Sequence, residues 1–206
     1  MRHKTTRAEL AQIRIMCRNR SDAHQPSVHK KGVPTMTTTA ELLLEAYGRI
    51  TDGTRDALDG LGDDLLLWRA DDDANTIAWL AWHLLRVQDD HLANATGHPQ
   101  VWLADGWAER FGLPFDDHAH GYGQTTEEVG KVRVGTDLLL GYLEAVDSRT
   151  KALLSEMTDS DLDKVVDDSY DPPVTLAVRL VSVLEDDLQH LGQIGFVRGL
   201  AERAGC

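Results

Sequence analysis

The stretch from Leu184 to Gly195 reads Leu-Glu-Asp-Asp-Leu-Gln-His-Leu-Gly-Gln-Ile-Gly and lies near the end of the chain. Its apolar residues recur at a spacing typical of a helix. Asp186 and His190 are four residues apart, and at about 100° per residue this spacing places both on one helix face. A carboxylate and an imidazole stacked in this way can share one metal ion. Two ligands do not complete a site, so another part of the chain must supply the rest.

Four long stretches with helical periodicity predict an all-α protein built as a four-helix bundle. Thr39 is a candidate N-cap of the first. Polar residues 71–76 precede the second, and Gly97 ends it. No alternating pattern longer than Lys164–Val166 indicates a strand. The first predicted helix covers about residues 39–58. The second starts at the polar residues 71–76 and ends at about 97. The third and fourth cover about 125–157 and 175–203.

The third predicted helix contains both a helix-start signal and residues that weaken a helix. Thr125 and Glu128 have the spacing of a capping box, which favours a helix start there. Gly130 and Gly135 weaken the same helix locally. We still expect one continuous helix to about Met157.

A long connection, residues 98–124, separates the second and third helices. Connections of this length inside a compact domain are uncommon and often functional. Residues 105–111 favour a short helical turn within it. We expect His118 and His120 to be exposed, as loop histidines usually are. The candidate substrate-binding residues of the connection are Trp107, Arg110 and Tyr122.

His83 is the candidate partner of Asp186 and His190. It lies in the middle of the second helix among apolar residues, and metal sites in bundles are built from side chains on facing helices. The alternatives are that His83 is a hydrogen-bonded core residue, or that Asp186 pairs with Arg86 or Arg179. Asp187 remains open as the carboxylate ligand, because it also reaches the face of His190, whereas Glu185 points away.

Two histidines and one carboxylate leave a coordination position for water or substrate, which favours a catalytic centre over a structural one. One divalent ion fits this donor set: Zn²⁺ is preferred, and Ni²⁺, Fe²⁺ and Mn²⁺ are compatible. Two other histidines are weaker candidates. His91 is rotated roughly 80° from His83 around the helix, and His98 lies at a helix end.

Charge divides the chain into two parts. Residues 1–35 contain eight Lys and Arg against two Asp and Glu, and the remainder contains 13 against 32. We expect residues 1–35 to be a disordered basic extension and residues 36–206 to form the bundle domain. The acidic body argues against binding to nucleic acid, and no segment has the ~20 apolar residues of a membrane span.

The two cysteines, Cys17 and Cys206, stand near opposite ends of the chain. They show neither metal-ligand nor redox spacing, which indicates a reducing, cytoplasmic setting without a disulfide framework. Neither lies in the predicted bundle core, so a cysteine nucleophile is not expected. Phosphate-binding loops, nucleophile elbows and metalloprotease helix motifs are also missing from the sequence.

Three segments resemble DinB-like proteins, in the branch of mycothiol-dependent transferases: Trp79–His91, Asp105–Phe115 and Asp186–Gln193. The resemblance covers about residues 37–203. It implies a four-helix bundle with one divalent metal, commonly bound by three histidines. His83 and His190 match two of those positions, and Asp186 stands where the third histidine is expected.

The resemblance implies a metal-dependent thiol transferase or isomerase that acts on a small electrophile with a low-molecular-weight thiol as co-substrate. Two alternatives share the fold: a non-catalytic metal-binding or stress-related bundle protein, and a metal-assisted hydrolase. The small-molecule substrate itself is not predicted. The abundance of Val, Leu and Trp is compatible with a homodimer formed through a helix face.

Overall fold

A computed structural model describes residues 38–205. The predicted basic extension over residues 1–35 lies outside the described residues. The described part is an all-α bundle of four long helices with shorter helices between them, as predicted. The helices are α1 (Thr39–Leu58), α2 (Asp63–Leu66), α3 (Ile77–Thr96), α4 (Val101–Ala104), α5 (Trp107–Phe111), α6 (Thr126–Val129), α7 (Thr136–Glu156) and α8 (Leu176–Ala204).

The start of α1 is fixed by a capping box one residue earlier than predicted. Thr38, rather than Thr39, is the N-cap: its hydroxyl accepts from the backbone N–H of Glu41, and the Glu41 carboxylate accepts from the Thr38 N–H, both at 3.1 Å. The reciprocal pair needs an acid three residues after the cap, which only Thr38 has. Losing such a cap costs about 1 kcal/mol.

The third predicted helix is interrupted, which corrects the expectation of a continuous helix from 125 to 157. The predicted capping box of Thr125 and Glu128 is present, but α6 ends at Val129 and α7 begins at Thr136. Gly130 and Gly135 flank the break, where helix propensity is lowest. Between them Val132 and Val134 are buried, so the segment contributes apolar surface to the core without being helical.

The helices α1 and α8 run in the same direction. The Tyr47 hydroxyl donates to the carbonyl of Leu180 at 2.9 Å, and Nη1 of Arg198 donates to the carbonyl of Ala57 at 3.0 Å. Residue numbers therefore rise together along both helices. Close packing between these two points depends on Gly53, where a Cβ would lie 2.8 Å from Leu191.

The helices α3 and α7 are each antiparallel to one of that pair. Thr51 and Arg55 of α1 contact Asp147 and Glu144 of α7 in reverse order, and α3 crosses α8 in the same antiparallel sense. It follows that α3 and α7 are parallel. A 20-residue helix is about 30 Å long, so the chain between them must return along the bundle, and this geometry requires the long connection.

A short antiparallel hairpin precedes α8, although the sequence pattern indicated no strand. Its strands are β1 (Val165–Asp167) and β2 (Val174–Thr175). Arg179 of α8 donates to Asp167 of β1 at 3.0 Å. Strands this short lack a periodicity that sequence patterns can reveal.

The core is centred on α3, in which every residue from 77 to 89 is buried. Trp82 is 1% exposed, and Tyr142 of α7 is fully buried. Because α3 is enclosed by α7, α8 and the returning connection, its polar residues must find partners inside the protein. Over residues 38–205, no helix combines the length and the apolar character needed to cross a membrane.

Candidate metal centre

His83 occupies the middle of the buried stretch of α3 and is 7% exposed. Its imidazole stacks on the indole of Trp79, with ring centroids 4.6 Å apart and planes 18° apart. His190 of α8 also contacts this imidazole, with ring centroids 4.7 Å apart and ring planes at 80°. The antiparallel packing of α3 against α8 therefore brings together the two histidines that the sequence predicted as partners.

Asp186 completes a group of three potential ligands. One ligand atom each of His83, Asp186 and His190 lie within 4.8 Å of one another, and Nε2 of His190 is 3.7 Å from Oδ2 of Asp186. Metal–ligand bonds of about 2.1 Å place two ligands of one ion roughly 3–4 Å apart. Small side-chain rotations would bring the three atoms to that separation.

Hydrogen bonds occupy Nδ1 of both imidazoles and fix the tautomer of His83. Nδ1 of His83 makes a short hydrogen bond to the carbonyl oxygen of His120; a carbonyl can only accept, so the proton is on Nδ1. Nδ1 of His190 donates to Oε1 of Gln193 at 2.8 Å. Nε2 of His83 therefore carries the lone pair, and at His190 the hydrogen bond also occupies Nδ1, the arrangement typical of metal-bound histidines.

The electrostatics of the site favour neutral imidazole at His83. Burial lowers the pKa of His83 to about 4; the carbonyl of His120 opposes the shift, His190 adds to it and Asp186 opposes it. A neutral imidazole can bind a cation without first losing a proton. Its Nε2 is therefore available as a ligand at neutral pH.

Asp186 supplies an observation that tests the fit of a cation. Its Oδ2 is buried and has no hydrogen-bond partner within the described protein. The two arginines considered as partners are engaged elsewhere: Arg86 lies beside Asp89, and Arg179 pairs with Asp167. The Asp186 side chain is 35% exposed and the His190 ring lies 3.7 Å away, but a buried carboxylate oxygen without a hydrogen bond is unfavourable. A divalent ion between Asp186 and the two histidines would compensate it.

Asp187, the other carboxylate that the sequence left open, faces a different part of the bundle. It is fully buried and neither oxygen has a hydrogen-bond partner among the described residues. Burial and the neighbouring Asp186 raise the pKa of Asp187, and burial together with the nearby Asp187 raises the pKa of Tyr47 on α1. Its neighbour across the bundle is thus α1, and it is outside the histidine group. Glu185 is exposed, as expected.

The long connection runs back along α3 and covers His83. Three of its residues contact α3 in reverse order: Ala119 accepts from Arg86 at 3.2 Å, His120 accepts from His83, and Gln124 accepts from the indole of Trp79 at 2.7 Å. The predicted importance of this segment therefore has a physical basis: it contributes a backbone acceptor to the candidate ligand.

Gly121 makes that approach feasible. A Cβ at this position would lie 2.7 Å from Nδ1 of His83 and 3.1 Å from the rings of Trp79 and Trp82. Its φ of +101° is also unfavourable for a side chain. Space and backbone conformation both require glycine here.

The predicted substrate-binding residues lie in two places. Trp107 is buried against Gly141 and Tyr142 of α7, and the guanidinium of Arg110 stacks 4.4 Å from its ring centroid. Tyr122 is 88% exposed and follows Gly121 directly. Their role with substrate stays a prediction.

Of the two loop histidines expected to be exposed, one is exposed and the other is not. His118 is exposed as expected, whereas His120 is partly buried with its ring 6.1 Å from that of His91. His91 is about one-third exposed and contacts Arg179. His98 is exposed and contacts Thr96.

Two contributors to the site were missed in the sequence. Gln193 lies three residues after His190, and this helical spacing could have identified it. The carbonyl of His120 had no such signal, because a backbone acceptor is independent of residue type.

These observations define a helix bundle with a three-donor centre suited to a divalent metal. The sequence profile of the DinB superfamily matches residues 46–194, and the chain belongs to this superfamily. A crystal structure of a conserved protein from Enterococcus faecalis is similar, with a TM-score of 0.73 and 29% identity over 79% of this chain and 96% of that one. No curated protein matches the chain.

Proposed function

We propose that this protein is a metal-dependent thiol S-transferase or isomerase that joins a low-molecular-weight thiol of the mycothiol type to a small electrophile. The observation that carries the proposal is that His83, Asp186 and His190 each bring one potential ligand atom within 4.8 Å of the others, and that Oδ2 of Asp186 has no hydrogen-bond partner among the described residues. Three protein donors leave a coordination position for a co-substrate.

The donor set is compatible with Zn²⁺, Ni²⁺, Fe²⁺ or Mn²⁺, with Zn²⁺ favoured. His83, Asp186 and His190 would hold the ion. When bound, the ion would lower the pKa of a thiol that binds beside these residues, so that its sulfur can attack at neutral pH.

The chain's own residues have other tasks in this proposal. The carbonyl of His120 keeps the proton of His83 on Nδ1, and Gln193 does the same for His190. The stacked indole of Trp79 covers one face of the His83 ring and limits its rotation. Tyr122, exposed beside Gly121, is proposed to contact the substrate, together with Trp107 and Arg110.

The nucleophile is proposed to come from the co-substrate. Both cysteines of the chain, at positions 17 and 206, fall outside residues 38–205. The residues proposed to hold the metal all lie within 38–205, a range that contains no cysteine. This supports an external thiol over an enzyme-bound one.

The test is a conjugation assay with monochlorobimane and zinc-loaded protein, with and without mycothiol. The expected result is thiol-dependent conjugation that is lost in His83→Ala and retained in His118→Ala, an exposed histidine of the same connection. Product formation from the electrophile without any thiol would instead support the metal-assisted hydrolase. Absence of turnover with a range of thiols, together with retained metal, would support a non-catalytic metal-binding protein.

A further inference from the structure

Arg86 is the largest charged side chain buried in the described part of the chain, with 0% exposure. It lies on α3 one turn after His83. Its Nε donates to the carbonyl of Ala119 at 3.2 Å, and its Nη2 donates to Oε1 of Gln100 at 3.1 Å. One guanidinium therefore joins the beginning and the later part of the long connection.

Neighbouring side chains also hold the guanidinium of Arg86 in place. Its guanidinium stacks 4.9 Å from the ring centroid of Trp102, and Nη1 lies 3.7 Å from Oδ2 of Asp89. Asp89 is engaged by three other donors: the backbone N–H groups of Val101 and Trp102 and the hydroxyl of Tyr142. Arg86 is thus oriented by buried neighbours, and its Nη1 makes no hydrogen bond within the described residues.

Arg86 and His83 act on consecutive peptide groups. Residues three apart on a helix are neighbours on its surface, and here they hold the carbonyls of Ala119 and His120 respectively. The second of these carbonyls is the acceptor that keeps the proton of His83 on Nδ1. A displacement of Ala119 would move that acceptor as well.

We propose that Arg86 is a positioning residue of the candidate metal centre: by holding the carbonyl of Ala119, it keeps the carbonyl of His120 on Nδ1 of His83 and leaves Nε2 free for a metal. Within residues 38–205, the hydrogen bonds, ion pair and ring contact of Arg86 go to Ala119, Gln100, Asp89 and Trp102 and to none of the three candidate ligands. The inference rests on the proposed function only for the identity of His83 as a ligand.

The test compares Arg86→Met with Gln88→Leu. Methionine fills much of the buried space but has no N–H, and Asp89 keeps its three other donors. Gln88 is also buried on α3, and its hydrogen bond of 2.8 Å goes to Thr150 of α7, away from the centre. Gln88→Leu therefore controls for the loss of a buried polar contact in the same helix.

Two readouts are used. In metal-free protein, the ¹⁵N chemical shifts of the imidazoles report the tautomer of His83. In a competition titration with a chromophoric chelator, the Kd for Zn²⁺ is measured. We expect Arg86→Met to give a mixed or Nε2–H tautomer and to weaken zinc binding roughly 10- to 100-fold, and Gln88→Leu to match the wild type in both.

Arg86→Lys is expected to be intermediate, because an ammonium can reach one carbonyl but cannot reproduce the planar fork. Should Arg86→Met fail to fold by circular dichroism, Arg86→Gln replaces it, since its amide is too short to reach Ala119. Any folded variant of these two that keeps both the Nδ1–H tautomer and wild-type zinc affinity overturns the inference. An Nε2–H tautomer in metal-free wild type also overturns it. Failure of wild type to bind zinc would refute the proposed function, while the tautomer readout would still decide the role of Arg86.

Discussion

His83 and His190 meet across the contact between α3 and α8, with ring centroids 4.7 Å apart and ring planes at 80°. The Nδ1 atom of each ring makes a hydrogen bond, His83 to the carbonyl of His120 and His190 to Gln193. The Nε2 atoms are therefore left for a shared partner, and Asp186 lies one helical turn before His190. This relationship is the basis of the metal-centre proposal.

The two neighbouring aspartates are expected to differ in their effect on metal binding. Asp186→Asn should weaken zinc binding at least about tenfold, because it removes the charged donor of the group. Asp187→Asn should leave the Kd within about threefold of wild type, since a change below 1 kcal/mol is expected for a side chain directed toward α1. Isothermal titration calorimetry of both variants checks the assignment. The reverse order of effects would make Asp187 the ligand.

The glycine that contacts His83 is expected to be intolerant of substitution. Gly121→Ala introduces a Cβ 2.7 Å from Nδ1 of His83, whereas Gly123→Ala, also at positive φ, places its Cβ in open space. In both variants an alanine at positive φ destabilises the fold by an amount on the order of 1 kcal/mol. Only Gly121→Ala adds a clash, which should cost about 1–3 kcal/mol more.

Urea denaturation measures this difference in the free energy of unfolding, and zinc titration of the same samples measures the consequence for the centre. Equal unfolding free energies and equal zinc affinities in the two variants would show that residue 121 does not pack closely against His83.

His91 is expected to contribute to the acid sensitivity of the metal-free protein. Burial is the main cause of its lowered pKa; Arg179 and His120 also lower it, while Asp90 and Asp186 oppose the shift. Below the ordinary histidine pKa of about 6.5, the unfolded chain binds the proton more readily than the folded chain does. The stability that neutral His91 permits is therefore present above that pH and is lost as the pH falls below it.

His91→Gln should accordingly lose less stability than wild type between pH 7 and pH 5. The free energy of unfolding is measured by urea titration at both pH values in the presence of a chelator. His118→Gln, at an exposed position of the connection, serves as the matched control and should follow wild type. The prediction would be contradicted if His91→Gln lost as much unfolding free energy between pH 7 and pH 5 as the wild type does.

The long helices and the pairing of His83 with the Asp186–His190 face could be predicted from sequence, because both depend on helical periodicity. The choice between Asp186 and Asp187 could not. The two side chains differ by one position, and the rotation of α8 against α1 and α3 decides which of them meets the histidines.

The break between α6 and α7 illustrates a second limit. Gly130 and Gly135 were recognised as weak points, but their cost of about 1 kcal/mol each is small enough for tertiary packing to overrule in either direction. Here the burial of Val132 and Val134 in a non-helical segment favours the break. The parallel arrangement of α3 and α7, which requires the long connection, likewise depends on contacts between distant residues.

The measurement that tests the central claim most directly is the zinc stoichiometry of purified protein after equilibrium dialysis, determined by mass spectrometry of the metal. We expect one ion per chain in wild type and in His118→Ala, and substantially less than one in His83→Ala, Asp186→Ala and His190→Ala at the same free zinc concentration. Circular dichroism confirms that each variant is folded. Wild-type zinc content in folded His83→Ala and His190→Ala would contradict the account, because the two histidines would then be core residues rather than ligands.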